Sequence, residues 1–128
     1  AGHVLGSPLV AAGRADAVAD RLFGDDLWTA AGIRTHSTAD PHFDGDSYHR
    51  GSVWPHDNWV IHEGLLAIGR ADDAARVRNA VLDGLCRLEH IPELYAVRHG
   101  VAEPLAVAQR VQAWSSGAVL SFLAADRV

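Results

Sequence analysis

Apolar residues recur along the chain at helical spacing in several stretches, and glycine or proline residues separate these stretches. In the first stretch, four apolar residues share one helix face: Ala15, Val18, Ala19 and Leu22. Spacing at i, i+3, i+4 and i+7 predicts an amphipathic helix there, which Gly24 closes. A second amphipathic helix is predicted from Ala71 to the region before Pro92, with its own apolar face: Ala74, Val77, Val81, Leu85 and Leu88.

Two further predicted helices are apolar around much of their circumference. One begins at Pro55, where the missing N–H of proline costs nothing, and ends at Gly69. The other covers about residues 109–123. Because a helix that is apolar all round is usually buried inside a larger structure, we expect the chain to belong to a larger helical assembly or to associate with its own copies.

Shorter pieces connect these helices. The sequence predicts the end of a helix over 2–10, a single turn through Leu27 and Trp28, short extended segments over 32–35 and 93–97, and loops over 38–46 and 99–104. The predicted fold class is therefore all-α, with antiparallel helix hairpins and only short extended pieces.

Composition and charge place limits on the function. The chain has 128 residues, 48% of them hydrophobic and 21% charged, which is typical of a globular domain. The net charge is -5 and the basic residues form no cluster, so nucleic acid is not an expected partner. No apolar run reaches the roughly 18 residues that a membrane span needs. The single cysteine, Cys86, favours a reducing compartment, and we expect a cytoplasmic protein.

The sequence contains no methionine. Either an initiator residue was removed before Ala1, or the chain is part of a longer protein. These two interpretations stay open on composition alone.

The densest group of chemically functional side chains lies in the stretch 48–58. It reads Tyr-His-Arg-Gly-Ser-Val-Trp-Pro-His-Asp-Asn, so histidine, arginine, carboxylate, amide and aromatic groups occur together. This stretch covers a loop and the first turn of the helix that begins at Pro55. A helix start offers free N–H groups and the positive end of the helix dipole, which suits polar, oxygen-rich ligands.

Four motifs in this chain carry a resemblance to a known family. They are Gly-Ile-Arg-Thr at 32–35, the stretch 48–58, Pro-Glu-Leu at 92–94 and Gln-Ala-Trp at 112–114. In this order and at these spacings they resemble the C-terminal part of the amylo-α-1,6-glucosidase, or glycogen debranching enzyme-like, family. That family has a glucoamylase-type (α/α)6 toroid. The resemblance implies that residues 1–128 form the C-terminal segment, roughly the last third, of such a catalytic domain.

The resemblance also implies an activity. It indicates part of an inverting glycoside hydrolase that acts on α-glucans or oligosaccharides at α-1,6 linkages, without a cofactor. Inverting hydrolysis needs one carboxyl group as a general acid and another as a general base. The resemblance assigns the base to Glu93 and places the acid upstream of the matched region, so the isolated chain is expected to be inactive. The alternative is a non-catalytic carbohydrate-binding or interaction protein derived from the same fold.

A set of substrate-binding residues follows from the same resemblance: Arg34, Tyr48, His49, Trp54, His56, Asp57, Gln112 and Trp114. A structural interpretation stands beside most of these assignments. Without the family, Glu93 is an ordinary surface residue, and core packing explains Trp114 better than sugar stacking does. Trp54 fits core packing and sugar stacking equally well. His56 and Asp57 can brace a loop, and Gln112 can cap a helix.

A metal site is the rival interpretation of five histidines that lie close in sequence: His36, His42, His49, His56 and His62. Zinc ligands on a helix usually lie at i and i+4 or form a tight pair. The spacings here are mostly six or seven residues, and Cys86 has no partner cysteine. The sequence therefore predicts no metal.

Overall fold

The helical periodicity of the sequence is realised in four α-helices within residues 2–124, which are the residues that the computed structural model describes. The helices are α1 (Ala15–Leu22), α2 (Pro55–Ala67), α3 (Ala71–Leu85) and α4 (Ala113–Ala124). The strands are β1 (Trp28–Thr29), β2 (Gly32–Ile33), β3 (Tyr95–Arg98) and β4 (Val101–Pro104). Short 3-10 turns cover Gly2–Val4 and Ala12–Arg14.

Helices α2 and α3 form the central pair of the fold and pack against each other. Pro55 occupies the first turn of α2, as the sequence predicts. Ile68 caps the other end, and Gly69 follows with φ +81°, a left-handed conformation that glycine adopts at little cost. This three-residue connection turns the chain back into α3, so the predicted helix hairpin is present.

The buried apolar side chains form two clusters on either side of this pair. The first joins α1, α2 and α3 to the N-terminal segment: Leu5, Ala19, Leu22, Ile33, Ile61, Leu65, Ala74 and Val77. The second joins α3 to β3, β4 and α4: Ala31, Val53, Val81, Leu85, Tyr95, Val97, Ala102 and Phe122. Most of these residues come from the apolar faces that the sequence pattern predicts.

Two antiparallel hairpins make the all-α prediction only approximate. Strand β1 pairs with β2, and β3 pairs with β4 in a register that sets Tyr95 opposite Pro104 and Arg98 opposite Val101. His99 and Gly100 connect β3 to β4 with φ values of 51° and 78°. Positive φ at both central residues is the requirement of a type I′ turn, whose twist matches a hairpin. The loop predicted over 99–104 is therefore wrong for Val101–Pro104, which form a strand.

Single β-bridges connect three segments that are distant in sequence. Arg34 is bridged to Val53, and Val53 is bridged to Tyr95. Val53 and Tyr95 exchange both of their backbone hydrogen bonds, at 2.9 and 3.0 Å. These bridges hold the loop that precedes α2 beside the segment that carries Glu93, two residues before Tyr95.

Several predicted boundaries differ from the observed ones. Helix α4 begins at Ala113 rather than near residue 109, because Gln109 O and the Gln112 N–H bond to Glu93 and Ile91 instead of forming helical bonds. Helix α3 ends at Leu85, short of the predicted Leu88. Trp28 lies in β1 rather than in a helical turn. Only the 3-10 turn Gly2–Val4 corresponds to the helix end predicted over 2–10.

Within residues 2–124, no helix combines the length and the apolar character that crossing a bilayer requires.

Candidate active site

Glu93 lies inside the fold with its main chain and its carboxylate both engaged. The residue is only 5% exposed, so the interpretation as an ordinary surface glutamate is wrong. Its N–H donates to Gln109 O at 2.9 Å, and its carbonyl accepts from the Ser115 hydroxyl at 3.4 Å. The Tyr48 hydroxyl donates to Oε1 of the carboxylate at 2.5 Å, and the Gln109 N–H reaches Oε2 at 3.4 Å. A buried carboxylate needs such donors because it can only accept hydrogen bonds.

Tyr48 reaches Glu93 because the loop before α2 folds back on itself. The Tyr48 carbonyl accepts hydrogen bonds from the Ser52 hydroxyl at 2.8 Å and from the Trp54 indole N–H at 3.1 Å. The Trp54 N–H also lies 3.1 Å from Ser52 Oγ. Ser52 and Trp54 are buried, so they anchor the more exposed Tyr48 from below. The hydrogen bond to Glu93 raises the pKa of Tyr48, and partial burial adds to this shift.

Five predicted binding residues form one aromatic cluster beside Glu93: Tyr48, His49, Trp54, His56 and Trp114. The His49 ring stacks on Trp54 at 5.3 Å with an interplanar angle of 5°. The Tyr48 ring meets Trp54 edge-on at 4.8 Å. Trp114, from α4, lies 6.5 Å from Trp54 and stacks against His56 at 5.5 Å. The first turns of α2 and α4 thus supply one continuous set of rings.

The two tryptophans of the aromatic cluster differ in exposure. Trp54 is 6% exposed, whereas Trp114 is 47% exposed. The expectation that core packing explains Trp114 is therefore wrong for the described residues, because its neighbours leave much of the ring uncovered. Trp54 has the environment of a packed residue that supports the rings above it. Trp28 and Trp59 pack against the two apolar clusters, as expected from the sequence.

Arg34 braces the loop and does not stand free to meet a ligand. Its guanidinium donates to Gly51 O at 3.1 Å and to Val97 O at 2.8 Å, and it lies 5.5 Å from the centre of the Phe43 ring. Burial lowers the pKa of Arg34, although an arginine remains charged in any ordinary protein environment. Arg34 therefore ties the loop before α2 to β3.

Asp57 and Gln112 contact other partners than the aromatic cluster. Asp57 Oδ1 lies 3.3 Å from His3 Nε2, which belongs to the N-terminal 3-10 turn. The Gln112 side chain accepts a hydrogen bond from the Ala113 N–H at 2.9 Å, at the first residue of α4. This contact is the helix-capping arrangement that the sequence left open for Gln112.

Sequence reasoning did not identify Asn58 as an organising residue, although it lies in the stretch 48–58. Asn58 is fully buried and its side chain accepts from the Ile33 N–H at 2.8 Å. Its amide donates to Ile33 O at 3.1 Å and to Trp54 O at 3.0 Å. A buried amide in the first turn of an apolar helix is a signal for such a role, because it must find partners nearby.

The histidines that suggested a metal site have other neighbours. His36 Nε2 and His42 Nδ1 lie 3.3 and 3.2 Å from the same Asp40 oxygen. The His42 backbone N–H and the His36 side chain lower the pKa of Asp40. In the part of the chain that the structure describes, no three side chains of histidine, cysteine, aspartate or glutamate are grouped closely enough to hold a metal ion.

Residues 6–115 match the family described as the mannosylglycerate hydrolase MGH1-like glycoside hydrolase domain. A search of curated proteins found no match.

Solved structures with a similar fold come from the bacterium Thermus thermophilus. One is an uncharacterized conserved protein, and two are a GH63 mannosylglycerate hydrolase in complex with Tris and with glucose. Each shows 24% sequence identity and a TM-score of 0.71. The likeness covers 94% of this chain but only 27% to 28% of those chains, so this chain spans little more than a quarter of their length.

Proposed function

The chain belongs to the family of mannosylglycerate hydrolase MGH1-like glycoside hydrolase domains, and on this premise we propose that it supplies the general base, Glu93, of an inverting glycoside hydrolase. The observation that carries the proposal is a buried carboxylate beside a partly exposed aromatic cluster. Aromatic rings suit the apolar faces of sugars, and a carboxylate suits the attacking water.

The proposed reaction divides between this chain and the rest of a full-length enzyme. Glu93 takes a proton from a water molecule, whose oxygen attacks the anomeric carbon. The bond to the leaving oxygen breaks, and a second carboxyl group protonates that oxygen on the opposite side of the sugar. Because the chain spans little more than a quarter of the solved structures that it resembles, we assign the general acid to another part of the enzyme.

For the substrate, we propose an α-linked hexose with a small polar partner, the class to which mannosylglycerate belongs. The family description and the glucose bound in one similar structure support this class. The α-1,6-branched glucans suggested by the sequence motifs are the competing substrate. No described contact favours a branched polymer over a small glycoside.

Within the aromatic cluster, Trp114 and His49 are the residues that we propose contact the sugar. Both are exposed, whereas Trp54 lies beneath His49 and Tyr48. Trp54, Arg34 and Asp57 then serve to hold the site together. Gln112 contributes by fixing the start of α4, which carries Trp114.

The test uses the full-length protein that carries this sequence. Hydrolysis of mannosylglycerate, glucosylglycerate, isomaltose and a branched dextrin is measured for the wild type and for Glu93→Gln. We expect the substitution to reduce the rate by about 10²- to 10⁴-fold while hexose binding is retained, because the amide keeps the shape but cannot take the proton. Proton NMR of the first product formed should show an inverted anomeric configuration.

Glu89→Gln is the matched control, since the Glu89 side chain is 88% exposed and makes only long contacts. Its activity should equal that of the wild type. Full activity of Glu93→Gln would overturn the assignment of the base, and a retained configuration would overturn the inverting mechanism. Sugar binding with no hydrolysis by the wild type would favour the alternative of a non-catalytic carbohydrate-binding protein.

A further inference from the structure

The orientation of the Glu93 carboxylate depends on a different segment from the one that holds its main chain. Gln109 and Ser115 fix the backbone of Glu93 from the side of α4. Within residues 2–124, the carboxylate receives one short hydrogen bond, from the Tyr48 hydroxyl to Oε1 at 2.5 Å. The bond from the Gln109 N–H to Oε2 is 3.4 Å long, beyond the usual range. Rotation of the carboxylate is therefore controlled mainly by Tyr48.

We propose that Tyr48 is a positioning residue, whose phenol fixes one oxygen of the Glu93 carboxylate so that the other oxygen is presented to the attacking water. The inference rests on the proposed function of Glu93 as the general base. It replaces the assignment of Tyr48 to substrate binding that the sequence resemblance implied.

The chemistry of the pair sets the direction of the hydrogen bond. An ionised carboxylate has no proton to donate, so the phenol must donate and the carboxylate must accept. Such charge-assisted bonds are shorter and stronger than bonds between neutral groups. The same contact raises the pKa of Tyr48, so the phenol keeps its proton at neutral pH. Tyr48 is thus a permanent donor to Glu93 throughout the range in which a hydrolase operates.

Tyr48 is itself held in place before any substrate binds. Its ring packs edge-on against Trp54, with 4.8 Å between centroids and an interplanar angle of 90°. Its carbonyl accepts hydrogen bonds from Ser52 and Trp54, and both of these residues are buried. A group whose supports are locked by packing and hydrogen bonds can hold a catalytic side chain in its productive geometry.

The functional consequence follows from how sensitive a base is to its position. A displacement of about 1 Å can cost on the order of 10²-fold in rate, even when the altered residue lies outside the chemistry. Tyr48→Phe removes the hydroxyl and keeps the ring that packs on Trp54. We expect kcat to fall by about 10- to 100-fold with little change in KM. A Tyr48 that contacted the substrate through its hydroxyl would instead raise KM.

The experiment compares wild type, Tyr48→Phe and Tyr95→Phe in the full-length protein that carries this sequence, with mannosylglycerate as the substrate. Tyr95 is the other tyrosine of the chain, and its buried hydroxyl donates to Ala31 O at 2.7 Å, away from Glu93. Tyr95→Phe should lower the unfolding temperature and leave kcat and KM unchanged. Crystal structures of the variants report the orientation of the Glu93 carboxylate independently of activity.

Loss of kcat in Tyr48→Phe alone, together with a rotated or multiply oriented Glu93 carboxylate, supports the positioning function. An unchanged kcat, a raised KM, or a carboxylate that keeps the wild-type orientation would each overturn it. These results are separate from the proposed function, which fails only if Glu93→Gln hydrolyses substrate at the wild-type rate. The crystal structures decide the question of orientation even if mannosylglycerate is the wrong substrate.

Discussion

Val53 and Tyr95 exchange two backbone hydrogen bonds, at 2.9 and 3.0 Å, and this pairing brings the loop before α2 to the segment that carries Glu93. The contact is made by main-chain atoms of two fully buried residues. It therefore fixes the distance between the two segments without using any of the polar side chains of the site. Those side chains remain available for chemistry, and the stability of the arrangement depends on the residues beneath them.

Asn58→Ala should strongly destabilise the protein. The buried Asn58 side chain makes three hydrogen bonds to main-chain groups of Ile33 and Trp54, so its removal leaves buried donors and acceptors without partners. We expect the free energy of unfolding to fall by about 2–4 kcal/mol, measured by urea denaturation. The matched control is Asn79→Ala, because Asn79 is exposed and should change stability by less than about 0.5 kcal/mol. Equal effects of the two substitutions would contradict this account.

The stability of the protein should fall on mild acidification because of His62. Burial lowers the pKa of His62, with opposing influence from Glu63 and a small further lowering from Arg78. The folded state therefore binds its proton less readily than the unfolded state, whose pKa is about 6.5. The contribution of the neutral ring is complete above that pH and is lost as the pH falls below it.

Urea denaturation across this pH range tests the His62 prediction. His62→Gln should remove part of the decline in the free energy of unfolding, whereas His90→Gln, at an exposed position, should not. An identical pH dependence in wild type and His62→Gln would show that other groups cause the decline. The edge-on contact between the His62 and Phe122 rings, at 5.3 Å, makes the junction of α2 and α4 the region where acidification acts.

The Tyr48 phenol should titrate above the ordinary tyrosine pKa of about 10. Its titration is isolated as the difference in tyrosinate absorbance between wild type and Tyr48→Phe. Glu93→Ala should lower the pKa of Tyr48, because it removes the hydrogen bond to the carboxylate and the repulsion between two negative charges. Burial raises the pKa of Tyr95, which should not titrate while the protein is folded. An ordinary pKa for Tyr48 in the wild type would contradict the contact with Glu93.

The isolated 128 residues should associate with themselves. Helix α4 and the segment before it expose several large apolar side chains: Val107, Val111, Trp114, Leu120 and Leu123. Apolar surface of this kind drives association when nothing covers it. Light scattering should detect a dimer or larger species, and Leu120→Glu should shift it toward the monomer. Leu9→Glu, at an exposed position outside α4, is the control and should change little. A monomeric wild type would contradict the prediction.

The same isolated chain should show no hydrolysis of isomaltose, branched dextrin or mannosylglycerate, since the proposed general acid lies elsewhere. The assay needs a sensitive measure of released hexose and the full-length protein as a positive control. Hydrolysis by the 128 residues alone would require an acid within the chain. The candidates are five carboxyl groups from the loop 38–46 and α2: Asp40, Asp44, Asp46, Asp57 and Glu63.

The sequence motifs identify a glycoside hydrolase domain correctly, but the matched family is not specifically that of debranching enzymes. The difference has a physical reason. The stretch 48–58 and the segment 92–94 form the floor of the site, where packing and bridging requirements dictate residues such as Trp54 and Asn58. The choice of substrate depends on surrounding walls, and those are not specified by the residues that build the floor.

Helix positions were predictable because α1 and α3 bury one face each, which leaves a clear periodic signal. Strands β3 and β4 were only partly predictable, since a four-residue strand has no room to establish an alternating pattern. The contact between Tyr48 and Glu93 joins residues 45 positions apart, so no local pattern could have indicated it. His99-Gly100, however, was a usable signal for the turn between these strands.

The Val53–Tyr95 bridge also sets an order of events in folding. Helices α2 and α3 are joined by three residues and can pair through contacts that are local in sequence. The bridge instead closes a loop that contains that whole helix pair, and contacts of such long separation form slowly. Tyr48 and Glu93 can meet only after that closure. Substitutions that weaken the α2–α3 pair should therefore delay completion of the active site as well as reduce stability.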